Sequence, residues 1–192
     1  YRWFYIFISP FFIYFAVFGF YPVLFSLYLS FFKWDGMAPM RYLGLENFNT
    51  LFHDPTFWAA LWNTIILGLL YIPIMLFLAL IFAVVLNKPQ LPLRTFLRTA
   101  FFMPVVTPFV VVALVWGLFL GTEHGLFNQV LLALGGPRIP WLNSEEWAKP
   151  SIAFCLIWRW TGYNMILLLA GLQGIPDTLY ESASIDGARP HH

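Results

Sequence analysis

Glu181 and Asp186 are the carboxylates best placed to act on a partner. They lie in Ala170–Ala188, AGLQGIPDTLYESASIDGA, the one part of the chain with clear helix punctuation. Pro176 suits a first helical turn, where its missing N–H costs nothing, and Asp177 suits the positive end of the helix dipole. Leu179 and Ala183 share one face, with Tyr180 and Ser184 beside them. Gly187 supplies a natural stop, and Pro190 follows just beyond it. The pattern predicts a short surface helix over 176–187, roughly three turns at about 1.5 Å per residue. An acidic pair on such a helix is ordinarily a solvated face.

Arg159, in the string IWRWTGYNM, is the second candidate, because it is the one charge set well inside an apolar run. A charge at a bilayer centre costs about 2.5–3.5 kcal/mol on insertion scales, so such residues face an interior or a cavity. Two readings stand side by side: snorkelling or pairing with another helix, and contact with a passing solute. Gly162, Tyr163 and Asn164 follow at once. Trp160 and Asn164 are four apart, an aromatic and an amide on one helical face, which suits stacking and hydrogen bonding of a sugar. An ordinary packed helix with an interhelical amide bond would use the same residues. Arg159, Trp160, Tyr163 and Asn164 are therefore the candidates for a substrate path.

No catalytic constellation accompanies them. The phosphate-cradling pattern GxxxxGK[ST] does not occur, so ATP hydrolysis by that route is not expected of this chain. His53, His124, His191 and His192 show no metal-ligand spacing, and neither a metal nor a cofactor is expected. Cys155 is the only cysteine, which excludes an internal disulfide. A formal net charge of +1 gives no reason to expect nucleic acid.

The elements that must carry these residues are set by composition. Hydrophobic residues make up 60% of the 192 and charged ones 10%, against about 45–50% and about 25% in soluble domains. The mean hydropathy of +0.75 agrees, and so few charges cannot cover a water-facing surface. Trp3 to Phe32 holds no charge, where about twenty apolar residues already span a bilayer. Pro10 and Pro22 should bend this first helix, and Ser9, Ser26 and Ser30 can satisfy backbone groups that the prolines free. The run is too long for a signal-peptide core and is read as retained. A chain opening on Tyr1 is expected to have lost a cytoplasmic leader.

Lys33 to Thr56 reads as an external segment with mixed charges and interfacial aromatics, Trp34, Tyr42, Phe48 and Phe52. Phe57–Leu86 is a second span with Pro73 at its middle, and Asn87–Arg98 a short basic loop. Ala100–Leu120 is a third span with Pro104 and Pro108 near its start. There Gly117 and Gly121 form a GxxxG, a candidate close-packing face. Gly121–Lys149 is a second mixed loop, and Pro150–Leu172 a fourth span. The chain thus reads as an all-α, polytopic helical membrane protein with four transmembrane helices. The short loop carries Lys88, Arg94 and Arg98 without an acid, while each longer loop has two basic and three acidic residues. That bias puts the short loop, and with it both chain ends, in the cytoplasm.

The run Glu181-Ser182-Ala183-Ser184-Ile185-Asp186-Gly187-Ala188 resembles the first half of the EAA loop of bacterial binding-protein-dependent ABC importer permeases, with Ser182 where Ala is usual. AGLQGIP resembles the carbohydrate-uptake branch, the relatives of the maltose and glycerol-3-phosphate permeases. Tyr42–Phe48, Phe101-Phe102-Met103-Pro104, Gly125–Asn128 and Trp141-Leu142-Asn143 are similar to further segments of that branch, in the same order. The resemblance runs from about Tyr5 to Ala188. It implies a six-helix permease fold of which residues 1–56 are the first helix and external segment. Residues 57–192 would be three spans plus the first half of the coupling loop. The rest of that loop and the last two helices of the family would be missing, the chain being truncated after the loop's first half.

What the resemblance implies about function is an inner-membrane subunit that moves a sugar, oligosaccharide or polyol. Its expected partners are the lipid bilayer, an ABC ATPase dimer, a second permease subunit and an external solute-binding protein. Leu179, Tyr180, Glu181, Ser182, Ala183, Asp186 and Gly187 would form the helix that docks on the ATPase and works as a lever. Two rivals remain. A secondary transporter or channel would want intramembrane acids or discontinuous helices, and no Asp or Glu lies in any of the four spans. A truncated remnant of a permease, without function, is the other.

Overall fold

The computed structural model describes residues 2–188. They are mostly helical and fall into two compact units that divide between Asn63 and Thr64. Among the described residues three helical stretches are long and apolar enough to cross a membrane, and a bent pair makes a fourth.

The first unit opens with α1 (Arg2–Phe15), a π-helical turn (Ala16–Phe20) and α2 (Tyr21–Leu29), a continuous 28-residue stretch. Pro10 cannot donate to the carbonyl of Ile6, and the Ser9 hydroxyl donates to that carbonyl instead, at 2.9 Å. Ahead of Pro22 the chain inserts the π turn, closed by the Tyr21 N–H on Ala16 O. The external segment is more ordered than a plain loop. β1 (Phe32–Lys33) and β2 (Arg41–Tyr42) pair antiparallel, with Phe32 opposite Tyr42. In the turn between them the Asp35 carboxylate accepts the N–H groups of Met37 and Ala38 at 3.0 and 2.8 Å. Those amides, Ala38 first, hold its carboxyl below the usual aspartate range. Next comes α3 (Glu46–His53), where Asn47 Nδ2 donates to the carbonyls of Ser30 and Phe32 at 2.8 and 3.0 Å. One amide thus ties α3 back to the end of the first span. Phe31 against Phe48 and Phe32 against Tyr42 add ring contacts.

Helix α4 (Pro55–Asn87) continues through Pro73 without a break, and it begins and ends within two residues of the predicted span. Being apolar all round, it has no amphipathic face to announce which side packs. The packed stripe is Met75, Ala79, Ala83 and Leu86, at the spacing of one helical face. Met165 and Leu169 of α8 (Glu145–Gln173) complete the cluster with Ala79, Ala83 and Leu86. In lipid such contacts stabilise through van der Waals fit and hydrogen bonds, because the surrounding tails are as apolar as the side chains.

Two predicted boundaries are corrected. The basic loop is shorter than 87–98, because α5 (Arg94–Val106) already includes Arg94 and Arg98. The Arg98 guanidinium donates to Leu86 O at 3.3 Å, at the C-terminal end of α4. The third span is not one helix: α5 and α6 (Phe109–Leu120) meet at 98°. Pro108 stands at the break. A proline disfavours helical backbone in the residue before it, and Thr107 is extended, at φ −67° and ψ 130°. Pro104, by contrast, sits inside α5 without ending it.

The second external segment also contains structure. α7 (Leu126–Ala133) lies within it, and fully buried Asn128 organises it. Asn128 Nδ2 donates to the carbonyls of Thr122 and Ile139, while its Oδ1 accepts from the Ile139 N–H and Trp141 Nε1. A second apolar cluster of Val112, Trp116 and Leu120 packs beneath it with Phe127 and Trp141. Ser144 caps α8 through the Glu146 N–H, and the helix then runs 29 residues. Gly174 ends α8, and α9 (Asp177–Ile185) follows.

Candidate functional site

Helix α9 forms one residue later than Pro176, whose carbonyl accepts the Leu179 N–H at 3.1 Å. Its far end is a Schellman stop: Gly187 has φ +78° and the Ala188 N–H returns to Ala183 O at 2.9 Å. The expected stop at Gly187 is thus met. Leu179 and Tyr180 are 59% and 51% exposed, and Glu181, Ser182, Asp186 and Gly187 are exposed as well. Ala183 alone among these is half-buried, and the Ser182 hydroxyl is turned onto Thr178 O. Helix α9 therefore presents Leu179, Tyr180 and Ile185 as exposed side chains, with the Glu181 carboxylate on the helix and that of Asp186 just past its end, and neither carboxylate is ion-paired among the described residues.

Arg159 has a partner. Its side chain is 6% exposed and its guanidinium meets the end of α5. Nη1 donates to Pro104 O and Thr107 O, both at 2.9 Å, and Nη2 to Val105 O at 3.2 Å. Pro104 O is the carbonyl that Pro108, four residues on, cannot serve. The Phe109 ring, first residue of α6, lies 3.9 Å from the guanidinium carbon. Buried Nε has no hydrogen-bond acceptor among the described residues. Arg159 thus pairs with another helix through backbone oxygens rather than a carboxylate.

One turn along α8, Gly162 does something the sequence did not announce. A Cβ there would stand 1.7 Å from Phe101 O, so the α8 backbone rests directly against α5. A Cβ on the GxxxG glycine Gly117 would meet nothing within 4 Å among the described residues, so they form no close-packed face there. Gly121 instead ends α6 and starts the turn to Gly125, where a Cβ would collide with Gly121 O.

The remaining path candidates are divided. Asn164 Nδ2 donates to Trp160 O at 3.0 Å and reaches Met75 Sδ at 3.5 Å, so its amide ties α8 to α4. Trp160 is half-buried and stands edge-on to Tyr163, 6.0 Å between ring centres. Tyr163 is 40% exposed. An apolar cleft of about 270 Å³ lies between α6 and α8, lined by Val112, Trp116, Ile152, Leu156 and Cys155, with Arg159 at its wall. No group of three or more His, Cys, Asp or Glu that could hold a metal occurs among the described residues.

Sequence reasoning missed Asn128, Gly162 and the carbonyl partners of Arg159. Asn128 and Trp141 each lay in a segment singled out by resemblance, but nothing local said that they bond. Gly162 and Pro108 were visible as residue types. Which backbone would approach them was not.

Comparison with known proteins places this geometry. Residues 75–192 match the family described as the binding-protein-dependent transport system inner membrane component. The lactose transport system permease protein of Rhizobium radiobacter is 42% identical over 90% of this chain and 58% of its own length. The arabinooligosaccharides transport system permease protein of Bacillus subtilis is 35% identical over 96% of this chain and 58% of its own. In the crystal structure of a bacterial ABC transporter that imports the acidic polysaccharide alginate, one chain superposes with a TM-score of 0.79 at 28% identity. The match covers 98% of this chain and 63% of that one. This chain thus spans about three fifths of the length of the relatives it matches. With more than half its residues inside the family match, the chain belongs to the inner membrane components of binding-protein-dependent transport systems.

Proposed function

We propose that this chain is the membrane-spanning part of an ABC importer permease for a saccharide or related polyol. Helix α9 is its contact with a separate ATPase dimer. The observation that carries this reading is the pairing of a long apolar α8 with a short, exposed, cleanly stopped α9 bearing Glu181 and Asp186. Such a helix is built to be held by something else. Closure of the ATPase dimer would move it, and α8 with it, between inward- and outward-open arrangements. The saccharide class follows the relatives, whose names include lactose and arabinooligosaccharide transport.

A second permease subunit and an external solute-binding protein complete the assembly in this reading. A related importer structure includes a periplasmic protein with bound alginate pentasaccharide. The basic stretch Lys88–Arg98 faces the cytoplasm, as do both chain ends. Tyr163 and Trp160 are the path residues best able to stack on a sugar, Tyr163 being the more open. The discontinuous α5–α6 pair does not favour an ion-driven carrier, since three of the carbonyls at the break are already taken by Arg159.

The experiment is co-purification of the ATPase with the intact permease carrying Glu181→Ala. Truncating one partner of a desolvated charge pair costs about 2–5 kcal/mol. The association should therefore weaken roughly thirtyfold or more, at about 1.4 kcal/mol per decade, with membrane insertion unchanged. Co-purification equal to the parent's would remove α9 as the coupling element.

A further inference from the structure

We propose that Arg159 is a positioning residue for transport: it latches the α5–α6 corner to α8, so that a displacement of α8 is passed on to α6. The proposal rests on the permease reading and deepens it, because it names how motion arriving at α9 would reach the far half of the bundle.

The corner has a chemical problem that Arg159 solves. Where α5 stops at Val106, its last carbonyls lose their helical donors, and unsatisfied backbone groups are costly where water is excluded. The guanidinium reaches three of them at 2.9, 2.9 and 3.2 Å. The same guanidinium lies on the Phe109 ring at 3.9 Å. One side chain of α8 therefore touches both the last turn of α5 and the first residue of α6. A planar fork with several donors is needed for this, which a lysine ammonium does not supply.

The second contact makes the latch mechanical. Gly162 sets the α8 backbone against Phe101 O, about one helical turn from Arg159. Held at two levels, α5 cannot slide or tilt on α8 without losing one of them. Helix α8 runs to Gln173 and leads through Gly174–Pro176 into α9. Helix α6 lies beyond the corner and forms the opposite wall of the cleft with Val112 and Trp116. Buried Nε, lacking an acceptor among the described residues, leaves the fork a spare donor, so the contact can shift by one carbonyl rather than break outright.

The test uses the intact permease assembled with its ATPase in lipid nanodiscs. In a Cys155→Ser background, spin labels go on Met103 of α5 and Leu114 of α6, both widely exposed. Parent protein should give one narrow distance distribution. Arg159→Gln should broaden it and lower solute uptake per ATP hydrolysed about tenfold, the scale of losing one charge-assisted bond. ATP hydrolysis itself should persist. Arg159→Lys should fall between the two. Phe109→Leu keeps the latch donors and removes only the ring, and should broaden the distribution with a smaller drop in the uptake-to-hydrolysis ratio.

A narrow distribution with normal coupling in Arg159→Gln overturns the proposal. So does a fall of uptake and hydrolysis together, in step with the amount of folded assembly, since that marks a purely structural role. If Arg159→Gln does not insert, Phe109→Leu decides alone, and parental distance and coupling there refute the latch. A parent that imports no saccharide would instead refute the permease reading, while the distance measurement still reports on the corner.

Discussion

Two apolar stretches carry prolines in similar number and respond in opposite ways. Residues 2–29, with Pro10 and Pro22, form one continuous helical stretch interrupted only by a π turn. Residues 94–120, with Pro104 and Pro108, break at 98°. Each proline orphans the carbonyl four residues before it, and the difference lies in who answers. For Pro10 the orphan is Ile6 O, and Ser9 answers from the adjacent position, so the helix continues. For Pro108 the orphan is Pro104 O, and the answer is Arg159, 55 residues away on another helix. At Pro10 a local donor accompanies an unbroken helix, whereas at Pro108 a distant one accompanies the break. Proline marks where a helix can break, and tertiary contact decides whether it does.

The largest expected effect sharpens that contrast through two glycines. Gly162→Ala would place a Cβ 1.7 Å from Phe101 O, backbone that cannot move aside alone. Gly19→Ala would meet only the Phe15 ring at 3.1 Å, and a side chain can rotate. Overpacking of the first kind costs about 1–3 kcal/mol and at times more. In thermal unfolding of the detergent-solubilised protein, Gly162→Ala should therefore lose stability by that amount. Gly19→Ala should stay within about 0.5 kcal/mol of the parent, the range of substitutions away from such features. Equal effects would mean that α5 does not depend on its seat against α8.

Next in size come the prolines at the two interruptions. Pro108 has φ −55° and ψ 140° at the corner, a conformation proline adopts without strain. Replacing a compatible proline with alanine loosens the unfolded chain and costs about 0.4–1 kcal/mol. Pro108→Ala should lose that much and keep the corner, because Arg159 still holds the carbonyls. Pro22→Ala restores a donor within the first span and should be neutral or mildly stabilising. Unfolding midpoints measure both, and the Met103–Leu114 label distance shows whether the corner survives. A straightened α5–α6 in Pro108→Ala would assign the bend to the proline alone.

The same contrast explains what could be read from the sequence. Composition and run length sufficed for the apolar spans, since crossing a bilayer needs only length and an absence of charge. The stop at Gly187 was legible because a left-handed residue after a helix is a local demand on one residue type. The prolines of the third span were equally visible, but Pro10 and Pro73 look the same in sequence and leave their helices unbroken. What sets Pro108 apart is a guanidinium brought in by the fold. Helix α7 was missed because eight residues inside a mixed loop give too little periodicity. Its anchor, Asn128, is defined by partners up to 13 residues away. Arg159 was legible as a costly charge that must be paired, and its partners were not legible at all.

The smallest effect is the most direct check on the local half of the comparison. Ser9 Oγ lies 2.9 Å from Ile6 O, the carbonyl that Pro10 cannot serve. Intramembrane side-chain hydrogen bonds average about 0.6 kcal/mol, because the unfolded chain in a membrane also finds partners. Ser9→Ala should therefore cost about 0.6 kcal/mol in a stability measurement on the solubilised protein. The double variant Ser9→Ala, Pro10→Ala should recover it, since an alanine at position 10 supplies its own N–H to Ile6 O. That recovery is the discriminating result. Thr107→Val removes a similar bond at the corner, Thr107 Oγ1 on Met103 O at 3.2 Å, and should show no such rescue by Pro108→Ala, because Met103 O is not the carbonyl that Pro108 orphans. Should Ser9→Ala cost as much with alanine at position 10 as with proline, the serine is not answering the proline, and the local half of the contrast fails.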